Sequence, residues 1–292
     1  MATTGITTTG SLADSLPTWI MSARQVREFE GIMPQLVTRE TLGKGLGNTW
    51  HEVSFAQLNA QSVTETTELE NPQQVSDTDL SITPTVVGIQ VRITDRVAAR
   101  IAKVAYTKLG SLAQNAIERL KDEDGITVLD SGATTCSPGA GATLTSGHIY
   151  SAVSNIQGNT TEPGMPPFRC VLHPFQIKDL ADELTSPVGT YNISDGPTAT
   201  VFQSGFKLAI NNCEVYPDGN IAISGTDCKG GVFAKEAIII VQGRGPRAVP
   251  VRREHIGGGA TDIYHYDEYA YGNRSSTNWL LEIQSDATAP TS

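Results

Sequence analysis

The 292-residue sequence predicts an α+β fold organised around one long extended hairpin and one long helix. Three observations carry this reading. Residues 45–91 contain no Lys or Arg, yet hold Glu52, Glu65, Glu68, Glu70, Asp77 and Asp79. Directly after them, Val97, Ile101, Val104, Ala105, Leu112, Ala116 and Leu120 recur at helical spacing, which places an apolar stripe on one face. Beyond residue 145, short helix signals alternate with buried-strand signals, and residues 261–283 are strand-like again.

Residues 1–47 predict an N-terminal arm. Pro17 and Trp19 lead to a short helix candidate starting at Ser22 and broken by Gly31 and Pro34, with too few apolar positions to form a core of its own. Residues 48–93 predict an extended loop of two strands around a tip rich in Thr, Gln, Glu and Asn. Val53 and Phe55 share a face of the outgoing strand. The return strand carries Leu80, Ile82 and Val86 on even positions, then Val87, Ile89, Val91 and Ile93 on odd ones. Strand side chains alternate strictly, so this parity switch beside Gly88 predicts a bulge or sharp twist. Pro84 cannot donate to a ladder and favours an edge.

Residues 94–144 predict a spine helix and the first part of a second region. Asp95 reads as the helix cap and Gly125 as its stop, for a length on the order of 40 Å at the usual helical rise. A Gly/Ser/Thr/Pro loop follows over 131–147. Within 145–250, Ser146 reads as the cap of a short helix and residues 169–172 as a buried strand. Pro174 opens a helix in whose first turn it is well tolerated. Strands are expected near 213–216 and 237–241. Residues 251–292 predict returning strands and a C-terminal tail.

The formal net charge of −10 argues against general nucleic-acid binding, which needs a cationic surface to displace phosphate counterions. No apolar run approaches the roughly 18 residues of a membrane span, and the Thr-rich start lacks the pattern of a secretion signal. Cys136, Cys170, Cys213 and Cys228 show no Cys-x-x-Cys spacing and read as reduced, buried residues of a cytosolic chain. The sequons at Asn159, Asn192 and Asn273 then carry no sugar.

Motifs for chemistry are weak. Gly43, Gly45 and Gly47 are not followed by Lys-Ser/Thr and read as a hinge. Gly257, Gly258 and Gly259 lack dinucleotide spacing. The Asp122-Glu-Asp-Gly run places its Gly too early for a calcium loop and reads as a helix terminus. His51, His148, His173, His255 and His265 form no i, i+4 pair, so no metal site, cofactor or catalytic set is expected. Cys170 beside His173 could form a nucleophile pair, but an apolar strand disfavours the thiolate. The Tyr-rich stretch 264–271 reads as packing.

The acidic loop has a counterpart. Arg244, Arg247, Arg252 and Arg253 occur in 243–253 without an acid, and Arg92, Arg96 and Arg100 follow the loop. Two readings stand for these arginines, pairing with a neighbouring molecule's loop or with acids of their own chain.

This segment order, with phrases such as Gly231-Val-Phe-Ala-Lys-Glu-Ala, Arg252-Arg-Glu and Tyr271-Gly, resembles the HK97-type major capsid proteins of tailed double-stranded DNA phages. The resemblance implies an N-terminal arm, an extended loop, a spine helix, an axial domain (145–250) and a peripheral domain completed by 251–292. It implies a non-enzymatic subunit that self-assembles into pentamers and hexamers as an icosahedral virion shell, built in the host cytoplasm around DNA bound without sequence specificity. Portal, separate scaffolding and sometimes cement or decoration proteins are the implied partners; the roughly 45-residue arm leaves no room for a built-in scaffold. Some relatives crosslink a loop Lys to a neighbour's Asn, and the lysine-free loop predicts no such bond here. An encapsulin-like compartment shell, a phage tail or decoration protein and a cytosolic hydrolase are the competing classes.

Overall fold

The computed structural model describes residues 29–45, 47–65, 72–100, 103–185, 209–275 and 277–290. The helix candidate at Ser22 and the loop acids Glu68 and Glu70 lie outside them.

The first described turn is a helix, α1 (Met33–Leu36), with Pro34 in its opening turn. Pro34 suits the start of this helix, because its fixed φ fits a first turn and its missing N–H is not needed there. Strand β1 (Thr38–Thr41) follows. Next come β2 (Trp50–Phe55) and β3 (Asp77–Ile82), an antiparallel pair in which Trp50 faces Ile82 and Phe55 faces Asp77. The chain then passes Thr83 and Pro84 and enters β4 (Thr85–Thr94).

β4 does not return along β2. It pairs with a later strand, with Gly88 opposite Tyr266 and no shift of register. The expected bulge at Gly88 is absent. The parity switch instead marks where the chain leaves one sheet for another, each with its own buried face. Gly88 serves close approach, since a Cβ there would lie 2.8 Å from the Tyr266 ring.

The expected single spine helix is two pieces, α2 (Asp95–Ala98) and α3 (Lys103–Leu129). Thr94 holds the cap position of α2, and Asp95 is instead engaged by Arg252. Ala113 and Ile117 are buried, whereas Leu120 is 40% exposed, so the buried stripe is one position out from the spacing counted from Val97. α3 also runs through Gly125, where a Cβ would meet Met33 at 2.9 Å and Tyr271 at 3.1 Å. Here glycine permits close packing and does not stop the helix.

Helix α4 (Ser146–Gln157) is capped by Thr145, one residue earlier than expected, and the Thr145 amide donates to His148 Nδ1 at 3.2 Å. Then come β5 (Phe168–Leu172) and α5 (Pro174–Thr185), followed by β6 (Ala209–Ile210), β7 (Cys213–Pro217), β8 (Ile223–Ser224) and β9 (Asp227–Ala234). Two long strands, β10 (Ile238–Arg253) and β11 (Ala260–Asn273), pair antiparallel with irregularities around Arg244. β12 (Leu280–Asp286) ends the fold.

Two main sheets result. One has the order β12-β9-β5-β7-β6, with β8 on β9; the other has the order β1-β10-β11-β4. Phe168, Cys170 and Leu172 of β5, with Val232 and Ala234 of β9, pack against Ile149, Val153 and Ile156 of α4. The intervening residues Val171 and Phe233 face the other way, into a core with Met33, Leu129, Ile238, Ile240 and Leu280. Period-2 alternation thus lets one sheet serve two cores. Each fully buried large aliphatic or aromatic side chain contributes about 1.5–3 kcal/mol. All four cysteines are free and buried, and no helix among the described residues is long and apolar enough to cross a membrane.

Candidate assembly surfaces

The β2–β3 hairpin is fixed at its root and bare along its length. At the root, Trp50 and Leu80 pack on Ile82, Ile239 and Val241. Arg274 donates to Glu52 at 2.7 Å. Gly272 lies so close that a Cβ would be 2.2 Å from the Ile82 methyl. Further out, the strands remain coupled after their regular pairing ends. Ala56 N–H donates to Ser76 O at 2.9 Å, and Asn59 N–H donates to the Gln73 side chain at 2.8 Å.

Beyond the root the side chains have little to cover them. Val53 is 50% exposed and Phe55 70% exposed, with Leu58, Val63 and Val75 also above half. Opposite residues share a face, so Val53 and Phe55 lie beside Asp79 and Asp77. Asp79 lies 2.8 Å from His51 Nδ1 in a hydrogen bond; Asp77 and Glu65 are exposed. The outer hairpin is an apolar strip edged by carboxylates.

The arginines divide into two sets. Arg92 forks onto Asp262 at 2.5 and 2.8 Å, and the Asp262 side chain has no exposed surface. The Arg92 hydrogen bonds hold the Asp262 carboxyl down to about 2, against burial, which pushes it up. Arg253 completes this cluster, 3.4 Å from Asp262 and 3.3 Å from the Tyr264 hydroxyl. Arg252 is clamped between Asp95 and Glu254. These three satisfy acids of their own chain.

Arg96 and Arg100 are exposed on and just after α2, with no ion pair among the described residues. Arg244 lies 3.7 Å from Glu268 and stays 72% exposed. Arg247 stands over the Tyr266 ring, 5.4 Å from its centroid. Among the described residues, none of the hairpin acids meets any of these seven arginines within the chain. A second cationic surface was not read from the sequence. Arg39, Lys235 and Arg274, with Glu236 and Thr38, line a cleft of about 620 Å³ beside β1.

No protein-family model and no curated protein matches this sequence. Solved structures do match. A structure of Mycobacterium phage Che8 aligns at TM-score 0.72 and 14% identity over 91% of this chain and 96% of that one. The cyanophage Pam1 capsid aligns at 0.70 and 12% identity over 99% of this chain and 100% of that one. The capsid of Ralstonia phage GP4 aligns at 0.69 and 13% identity over 93% and 95%. The chain has the HK97-type capsid fold.

Within this HK97-type fold, the residues that escaped sequence reading are the acids. Asp262, Asp95 and Asp267 hold Arg92, Arg252 and Lys121. Asp122 and Asp124, expected at a helix end, lie in the last third of α3; Asp122 is buried, while exposed Asp124 accepts the Tyr269 hydroxyl at 2.7 Å. Tyr264 and Tyr266 stack at 5.9 Å, as packing aromatics. Cys170 has no exposed surface, and burial raises its thiol well above the ordinary range. Burial lowers His173. Neither shift makes a thiolate–imidazolium pair.

Proposed function

We propose that this chain is the major capsid subunit of a tailed double-stranded DNA phage, a structural protein whose copies close into an icosahedral shell of pentamers and hexamers. The observation that carries the reading is the fold likeness, which spans at least 91% of this chain and 95% of each of the three chains named above. In that reading residues 1–47 are the N-terminal arm, 48–93 the extended loop and 94–144 the spine helix with the first part of the peripheral domain. Residues 145–250 form the axial domain, and 251–292 complete the peripheral domain and tail.

The hairpin supports an assembly role on physical grounds. A strip with Phe55 at 70% exposure is unfavourable in a free monomer and favourable once a second subunit covers it. The carboxylates beside it steer that encounter and set its register more than they add affinity. Arg96, Arg100, Arg244 and Arg247 are the arginines left to receive it, whereas Arg92, Arg252 and Arg253 brace their own subunit. Portal, scaffolding and decoration proteins would be further partners, and the enclosed DNA would be held without base contacts.

Negative-stain microscopy of the purified protein, with nuclease-protected nucleic acid extracted from particles in the lysate, tests this. Closed shells protecting double-stranded DNA are expected. Shells filled with protein, open tubes, or a monomer at every salt concentration would each overturn it. With no Lys in the loop, boiled shells should run as single chains on a denaturing gel.

A further inference from the structure

Two carboxyl groups meet in the interior where α3, α1 and the loop after β7 converge. Asp122 and Asp218 are both without solvent exposure. Asp122 Oδ1 accepts the Met33 amide at 2.9 Å, and its Oδ2 accepts Asn220 Nδ2 at 2.8 Å. Asp218 Oδ1 accepts the Asn220 amide at 2.9 Å. One asparagine therefore bridges both acids. Asp218 Oδ2 is buried with no hydrogen-bond partner.

Three of the four oxygens thus take N–H donors, and the fourth, Asp218 Oδ2, is buried with none. Adjacent buried carboxylates cannot both stay ionised without a counter-charge. The elements packed around them supply none directly. From β11, the Tyr271 hydroxyl is buried without a partner; burial, and then the Asp122 charge, hold it well above the ordinary tyrosine range. Tyr269 is committed to Asp124 on α3, and Lys121 of the same helix to Asp267. Arg39 on β1 pulls Tyr271 slightly down by its charge. No cationic side chain is paired with Asp122 or Asp218 among the described residues. The oxygens already filled by N–H groups leave too few free ligands for calcium, which takes six to eight. A proton fits the single vacant position.

We propose that Asp218 holds a proton on its buried, unpartnered Oδ2 beside Asp122, and that this proton latches residues 29–33 and the 217–221 loop onto α3. The segment and the loop are in place to be latched. A Cβ on Gly31 would lie 2.5 Å from the Asp122 Cβ, and one on Gly219 would lie 2.9 Å from the Phe29 ring. Burial, followed by the Asp122 charge, raises the Asp218 carboxyl to about 7, against the helping hydrogen bond from the Asn220 amide. The sign follows from a folded value above the unfolded one. The stabilisation is complete below the unfolded value of 3.8 and is lost as pH rises through about 7. Above that, the proton leaves to solvent and two buried negative charges face each other. The N-terminal segment is then the lightest piece free to move.

Hydrogen exchange of the full-length chain, corrected for intrinsic rate, reads the latch on peptides covering 29–36 and 217–222. Between about pH 5 and 7 their protection should fall roughly tenfold per pH unit, because opening releases one proton. In Asp218→Asn a neutral amide replaces the protonated carboxyl at every pH, so that slope should vanish while protection elsewhere is kept. An equal slope in the variant, or none in the parent, overturns the proposal. Restoration of protection at pH 8 by calcium or magnesium would overturn it in favour of a cation. Should the variant fail to fold, carbon-13 spectra of labelled aspartate in the parent chain decide the matter. One carboxyl titrating near neutrality is expected, and all of them titrating below about pH 5 would overturn the idea.

Discussion

Asp262 lies between Arg92 and Arg253 with no exposed side-chain surface, and it is the charge on which the β4–β11 pairing turns. Its carboxyl is held down to about 2, so its stabilisation is present above the unfolded carboxylate range and is lost as pH falls from about 4 to about 2. Asp262→Asn should lower the melting temperature at pH 7 and flatten its decline in acid, measured by calorimetry at pH 7 and pH 3. Gly272 makes a second, steric prediction. Gly272→Ala should destabilise by about 1–3 kcal/mol through overpacking, because the new Cβ would stand 2.2 Å from Ile82 Cδ1. Ile82→Val removes that atom and should recover part of the loss in a chemical-denaturation double-mutant cycle. At this scale the sequence exposed only half of each pair. It singled out Arg92, Arg252 and Arg253 only within two runs totalling seven arginines, but Asp262 meets Arg92 through strand register, and register between distant strands is not written in local pattern.

The hairpin and α3 show what pattern reading reaches and where it stops. The missing cations and the alternation of Val53 and Phe55 pointed to an extended hairpin; β2 and β3 form it, while residues 85–94 belong to the four-stranded sheet. The parity switch was a true signal with a different cause. It marks the passage through Thr83 and Pro84 from the β2–β3 pair into the four-stranded sheet, because each sheet buries its own parity. Likewise the helix after residue 94 was legible, yet its interruption was not, since nothing between Ala98 and Lys103 is a strong breaker. The hairpin carries its own prediction. Replacing Glu65, Glu68 and Glu70 together by Lys should block or markedly weaken shell formation in sedimentation and microscopy, with an unchanged far-ultraviolet circular dichroism spectrum. Replacing Phe55 by Ser should weaken it too, and with less salt dependence, because that loss is apolar.

Across the whole molecule, the two main sheets share one core. Phe233 and Leu280 from the first sheet meet Ile238, Ile240 and Tyr269 from the second. Phe233→Ala should cost about 3–5 kcal/mol and expose both sheets together, so hydrogen exchange should lose protection in β5 and β11 alike; loss confined to one sheet would refute a shared core. The order of elements made the fold class readable, because an acidic hairpin, a long helix and a later α/β region occur in few arrangements. The sharing of a core between sheets depends on which face of β5 and β9 meets which helix, and alternation alone leaves that open.

The root of the hairpin has a mechanical consequence. The two strands are held by Trp50, Leu80 and the Arg274–Glu52 pair, while the described residues 43–45, 47–49 and 83–84 lie in no strand of the main sheets. Turning the hairpin therefore breaks a small patch of packing and one ion pair, and leaves the β10–β11–β4 ladder intact. With nine residue steps from Trp50 to Asn59, it projects on the order of 30 Å. A rotation of about 10° at the root would then carry the tip about 5 Å, roughly the spacing between neighbouring strands. The hairpin is a lever with a short fulcrum, so small changes in how Arg274 and Glu52 meet become a full strand's displacement wherever its far end is seated.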